Sequence, residues 1–112
     1  MTRIFIELPG FQKAWSSLGL SDDDLGELEL FLTENPNFGD VIPGTNGLRK
    51  LRWAAKGKGK RSGARVIYLD ILVLEKTYLF TAYGKNEKAD LTPDDKREYK
   101  VIVNELKNFN RG

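Results

Sequence analysis

The sequence predicts a small α+β domain of order β-α-α-β-β-β-α, a mostly antiparallel sheet with two N-terminal helices on one face. Three observations predict it. Residues 2–8 alternate apolar and polar as a strand does. Two stretches between 10 and 34 repeat apolar residues at helical spacing. Three β-branched and aromatic runs between 50 and 83 are joined by links of hairpin length, which implies antiparallel pairing. With 112 residues the chain suits one core, so 1–112 is read as a single domain.

Each element has a local cause. Ile4, Ile6 and Leu8 alternate with Arg3, Phe5 and Glu7 until Pro9-Gly10 ends the strand. Phe11, Ala14, Trp15 and Leu18 form the stripe of a short helix over 10–18 that stops near Gly19. Ser21 is an N-cap, and Asp22, Asp23 and Asp24 occupy the first turn, where the helix dipole favours negative charge. That placement explains the acidic run without a metal. Leu25, Leu28, Phe31 and Leu32 carry this second helix to about Glu34, and 35–47, rich in Asn, Gly and Pro, reads as a loop. Leu51 and Trp53 then point one way and Lys50 and Arg52 the other, because side chains alternate along a strand. Residues 63–70 and 76–83 supply two more strands, and 54–62 between the first pair is a basic hairpin loop. Thr92-Pro93-Asp94-Asp95 has the form of an N-cap, a Pro at the first helical position and acids in the first turn. Tyr99, Ile102, Val103 and Leu106 give the last helix its buried face.

Composition narrows the chemistry. No apolar run approaches the ~20 residues of a membrane-spanning helix, and the N-terminus reads as mature cytosolic sequence, with no membrane partner expected. The chain contains no cysteine and no histidine. Disulfides, thiol catalysis, zinc sites and Ser-His or Cys-His nucleophile pairs are therefore excluded. A magnesium site made of carboxylates stays open on composition alone, although no cofactor or metal is expected, and acid–base work falls to Lys, Arg, Tyr, Asp or Glu. The aromatic residues Phe11, Trp15, Phe31, Trp53 and Phe80 lie on apolar stripes and are read as core.

The charges are segregated. Net charge is only +2, yet residues 41–69 hold Arg49, Lys50, Arg52, Lys56, Lys58, Lys60, Arg61 and Arg65 with no acid. Such a block favours a polyanion, because each Lys or Arg that meets a phosphate releases condensed counterions. With both early helices on one face, the other face of the sheet is expected to be partly open. Lys50, Arg52 and Arg65 fall there, and Lys85 and Lys88 follow the last strand, so these groups are expected to converge on one positive surface. No helix carries a basic face suited to a major groove, which argues against a DNA-binding regulator.

The segments Gly47-Leu48-Arg49-Lys50-Leu51-Arg52-Trp53, Gly63-Ala64-Arg65-Val66-Ile67-Tyr68, Phe80-Thr81-Ala82-Tyr83-Gly84-Lys85 and Leu91-Thr92-Pro93 resemble RelE-superfamily toxins, nearest to the HigB-like branch. The resemblance covers nearly the whole chain. It implies a toxin of a type II toxin–antitoxin system, a ribosome-dependent endoribonuclease that cuts mRNA in the ribosomal A site. It also implies a cognate antitoxin with a helix-turn-helix DNA-binding domain, and operator DNA contacted only through the antitoxin complex.

Carried over residue by residue, Arg65 matches the family arginine that stabilises the transition state at the scissile phosphate. Lys50 and Arg52 match the outward basic pair of the preceding strand, where lysine serves proton transfer, and Lys85 matches the lysine after the last strand. The following family arginine is Asn86 here, so that role is either vacant or taken by Lys88. The family's base-stacking tyrosine has Thr92 at its place, with Tyr83 near enough to substitute. The expected catalytic set is thus Arg65, Lys50, Lys85 and Lys88. Arg49, Arg52, Lys56, Lys58, Lys60, Arg61 and Tyr83 are the expected RNA and ribosome contacts. The chemistry needs no histidine, since the 2′-hydroxyl of the RNA is itself the nucleophile and arginine forks suit the phosphate oxygens. Two rival readings use the same basic surface: a non-catalytic RNA- or ribosome-binding module, and a protein-interaction domain that docks an acidic partner.

Overall fold

A computed structural model describes residues 2–54, 63–87 and 90–109. The elements run β1 (Ile4–Glu7), α1 (Phe11–Ser17), α2 (Asp22–Glu34), β2 (Asp40–Val41), β3 (Arg49–Trp53), β4 (Ala64–Ile71), a 3-10 turn (Leu72–Leu74), β5 (Lys76–Gly84) and α3 (Pro93–Phe109). They form a five-stranded sheet of order β1-β5-β4-β3-β2. β1 pairs with β5 in parallel, and every other pairing is antiparallel. The fold class is the expected α+β one, with one strand more than the sequence pattern discloses.

The extra strand, β2, lies inside the predicted loop. Two residues leave no periodic signal, and pairing of Asp40 with Lys50 and Val41 with Arg49 creates the strand. Gly39 permits the approach. A Cβ there would lie 3.0 Å from the Lys50 carbonyl oxygen and 3.0 Å from the Tyr68 phenol, so only hydrogen fits.

The helix starts follow their sequence signals. Ser21 Oγ accepts from the Asp24 backbone N–H at 3.1 Å while Asp24 Oδ2 accepts from the Ser21 N–H at 2.8 Å, a reciprocal capping box. Thr92 and Asp95 make the same box at α3, at 3.1 and 3.0 Å.

Two apolar layers sandwich the sheet. On one face Phe11 and Trp15 of α1 and Leu25, Leu28 and Leu32 of α2 pack over Leu51, Val66, Tyr68 and Leu79. Trp15 is wholly buried, and its indole N–H donates to the Ser21 carbonyl at 2.9 Å. On the other face Ile67, Leu69, Tyr78 and Phe80 meet Val103, with Tyr99, Ile102 and Leu106 of α3 against them. The expectation of a partly open second face is therefore corrected: α3 covers its centre. The run Val66-Ile67-Tyr68-Leu69 is apolar at every position, the mark of a strand buried on both sides. The basic residues keep only the end of that face.

A β-bulge sets which residues reach that end. Ile67 pairs with Thr81 while Tyr68 pairs with Leu79, leaving Phe80 without a direct partner. The insertion shifts the alternation of β5, so that Tyr83 joins Tyr78 and Phe80 on the α3 side while Leu79 and Ala82 face α1 and α2.

Candidate functional site

At the N-terminal end of β4, Arg65 lies between two cross-strand neighbours, Arg52 of β3 and Tyr83 of β5. The next row along the same face is Lys50, Ile67 and Thr81. Like charges directly opposite in a sheet are destabilising. An Arg52–Arg65 pair therefore breaks a local rule, which proteins do chiefly at functional sites. Beyond the strands, Gly84 and Glu87 close a turn, with the Glu87 N–H donating to the Gly84 carbonyl at 2.9 Å and Glu87 Oε1 accepting from the Gly84 N–H at 3.3 Å. That turn carries Lys85.

Arg52, Arg65 and Lys85 line one cavity of about 270 Å³ together with Trp53, Ala54 and Gly63. Among the described residues none of the three cations takes part in an ion pair. Three unneutralised cations around one hollow fit an anion with several oxygens, and the two guanidinium forks suit phosphate. Trp53 forms a wall, half-buried, with its ring 5.5 Å from Phe31. Its indole N–H is buried and donates to no group among the described residues. Read from the sequence as core alone, Trp53 serves both the core and the cavity.

The predicted residues divide into four groups. Arg52, Arg65 and Lys85 come together as expected. Lys50 lies one row away, where its Nζ stands 3.5 Å from Asp90 Oδ1. Asp90 was not foreseen; its only signal is a lone acid just ahead of the Thr92 cap. Burial pulls its carboxyl up, but the Leu91 backbone N–H, Lys50 and Lys96 outweigh this and hold it below its ordinary range.

Two residues are corrected. Arg49 does not join the groove, because strand alternation turns it to the α2 face. There its Nη1 donates to the carbonyls of Gly39 at 2.7 Å and Asn37 at 3.1 Å. Tyr83 is only 3% exposed, so it cannot stack on an incoming base. It is buried instead in the α3-side layer as the cross-strand neighbour of Arg65. Burial and the Asp90 carboxylate push its phenol up, against the opposing pull of Arg65 and with a further rise from Asp95. The phenol therefore stays protonated at neutral pH. Lys56, Lys58, Lys60, Arg61 and Lys88 lie outside the described residues.

A three-layer α+β domain with a cationic hollow at one end of its mixed sheet is the class these observations define. No family model matches the sequence. The fold is RelE-like: it is similar to a solved structure of the E. coli toxin RelE, a double arginine-to-alanine mutant in the free state, with a TM-score of 0.58. That likeness covers 92% of this chain and 98% of the RelE chain at 13% sequence identity, and is a likeness of fold.

Proposed function

We propose that this chain is a toxin of the RelE/HigB type, a metal-independent, ribosome-dependent endoribonuclease that cuts translated mRNA in the A site. The observation that supports it best is the gathering of Arg52, Arg65 and Lys85, in no ion pair among the described residues, around one hollow on a RelE-like fold.

In the proposed reaction the RNA 2′-oxygen attacks the adjacent phosphorus and the 5′-oxygen leaves. The products are a 2′,3′-cyclic phosphate and a free 5′-hydroxyl. One proton leaves the 2′-oxygen and one is delivered to the 5′-oxygen. Arg65 and Arg52 grip the non-bridging oxygens as charge grows on them, Lys85 neutralises the adjoining phosphate, and Lys50 with Asp90 stands beside the reacting groups for proton transfer. Lys88 joins the catalytic set, and the basic segment holding Lys56, Lys58, Lys60 and Arg61 adds contacts to RNA or ribosome. Lacking histidine, the enzyme leaves substrate positioning to the ribosome, so turnover of naked RNA is expected to be slow. A cognate antitoxin with a helix-turn-helix domain holds it inactive in the cytoplasm, and operator DNA is met only through that complex.

The test is cell-free translation with mRNA 5′ ends mapped by primer extension, comparing wild type with Arg65→Ala. Ribosome-dependent cuts that vanish in a folded mutant support the enzyme. Intact mRNA with wild-type protein refutes it in favour of a non-catalytic binding module.

A further inference from the structure

We propose that Phe38 and Asp40 form a subsite that stacks and reads one unpaired nucleobase of the RNA held in the arginine groove. This rests on the RNA-cleaving reading above and assigns the base-recognising part of the same site.

Phe38 is 64% exposed on the segment that leads into β2. A large aromatic ring in solvent is unremarkable on a loose loop, but this segment is held from both sides. The Tyr68 phenol donates to the Pro36 carbonyl at 2.9 Å and accepts from the Gly39 N–H at 3.0 Å. Arg49 binds the Asn37 and Gly39 carbonyls, and the Phe38 N–H donates to the Asn35 carbonyl at 3.2 Å. The ring also packs against Phe31, with centroids 5.1 Å apart and planes at 81°, which fixes its orientation. The chain has thus fastened an apolar ring in water, the arrangement of a preorganised platform.

The surroundings indicate what the platform receives. Phe38, Asp40, Lys50 and Arg52 line a second hollow of about 290 Å³. Arg52 also lines the first, so the two adjoin along β3. A flat π-face next to cations is how proteins hold single-stranded nucleic acid, each base on an aromatic ring and each phosphate on a basic group. An apolar protein segment would desolvate Arg52 and Asp40 with no partner to offer them.

Asp40 supplies selectivity. Its carboxylate is exposed, and among the described residues it makes no ion pair or hydrogen bond. A carboxylate repels phosphate but accepts from amino groups, so it suits adenine, cytosine and guanine. Uracil presents its N3–H between two carbonyl oxygens and is disfavoured.

The experiment is the same translation assay with Phe38→Ala, Phe38→Leu, Phe38→Trp and Asp40→Asn, at limiting protein, with melting followed by circular dichroism. Expected are cuts weakened by about five- to a hundred-fold in the Ala and Leu variants and retained in the Trp variant, the range of one base–aromatic stack. Leu and Trp both keep an apolar contact to Phe31, so they separate stacking from folding. Asp40→Asn is expected to keep total cutting within a few-fold while cuts at uridine rise relative to the other bases. Wild-type cutting matched by the Ala and Leu variants overturns the subsite and leaves the enzyme standing. Full activity in Leu alone marks a merely apolar contact, which also overturns it. Absence of cuts by wild type removes both readings.

Discussion

The β4–β5 hairpin carries an arginine problem at each end and solves it in opposite ways. At the end near the 3-10 turn, the Arg3 side chain is wholly buried against Asp70, itself 4% exposed. Arg3 Nη2 donates to Asp70 Oδ2 at 3.3 Å, Nε stands 3.1 Å from Oδ1, and Thr77 Oγ1 donates to the same Oδ1 at 2.7 Å. At the other end Arg65 faces Arg52, with no carboxylate paired to either among the described residues. A buried charge is tolerable only when paired. One end is held by its own ion pair; under the proposed function the other meets the RNA phosphate.

Four substitutions sharpen or break that contrast. Asp70→Ala strands a buried guanidinium, and thermal or urea unfolding is expected to show a loss of about 3–5 kcal/mol. A loss below about 1 kcal/mol would mean that Arg3 reaches water and that the two ends are alike. Arg65→Ala is the converse. Cutting in the translation assay should fall by roughly 10²–10³-fold, the usual cost of one preorganised donor at a developing oxyanion. Its stability should stay within about 1 kcal/mol of wild type. Arg52→Gln removes the like-charge neighbour, so the folded protein should gain roughly 0.2–1 kcal/mol, with less gain in high salt, while cutting declines.

The smallest effect is a pH effect. Asp90 titrates below its ordinary value of 3.8, so its stabilising contribution is present above that value and is lost as pH falls through the lower folded value. Lys50→Met should move the Asp90 carboxyl upward in an NMR titration and shift this acid limb to higher pH. An unmoved carboxyl would show that the Leu91 N–H and Lys96 hold it without Lys50.

The groove was legible only in part, and the residues show why. Lys50 and Arg52 could be placed on one strand face and Arg65 near the start of the neighbouring strand, because alternation and a hairpin link set face and neighbour. Lys85 could be placed at the strand end for the same reason. The register that puts Arg52 opposite Arg65 came only with the assembled sheet. Arg49 shows the limit of reading charge without parity: one position from Lys50, it turns to the α2 face and braces the segment at Asn37 and Gly39. Tyr83 shows another limit. The bulge at Phe80 sends it to the α3 side, and α3 then buries it. Phe38 carried no pattern at all, and Asp90 only that of a lone acid ahead of the Thr92 cap.

By itself the sequence determined the α+β class, the helix caps at Ser21 and Thr92, the three antiparallel strands, and a chemistry without histidine, cysteine or disulfides. These are matters of period, capping and composition, which act over a few residues. The tertiary structure alone decided that β1 lies parallel beside β5, that two residues of a loop become β2, and that α3 closes the centre of the second face. It also decided that, among the described residues, Lys50 meets Asp90 while Arg52 and Arg65 face each other. Those outcomes depend on contacts between residues far apart in the chain, such as Ile4 with Lys76, Gly39 with Tyr68 and Lys50 with Asp90. No local pattern encodes them, because their free energy appears only once the strands are assembled.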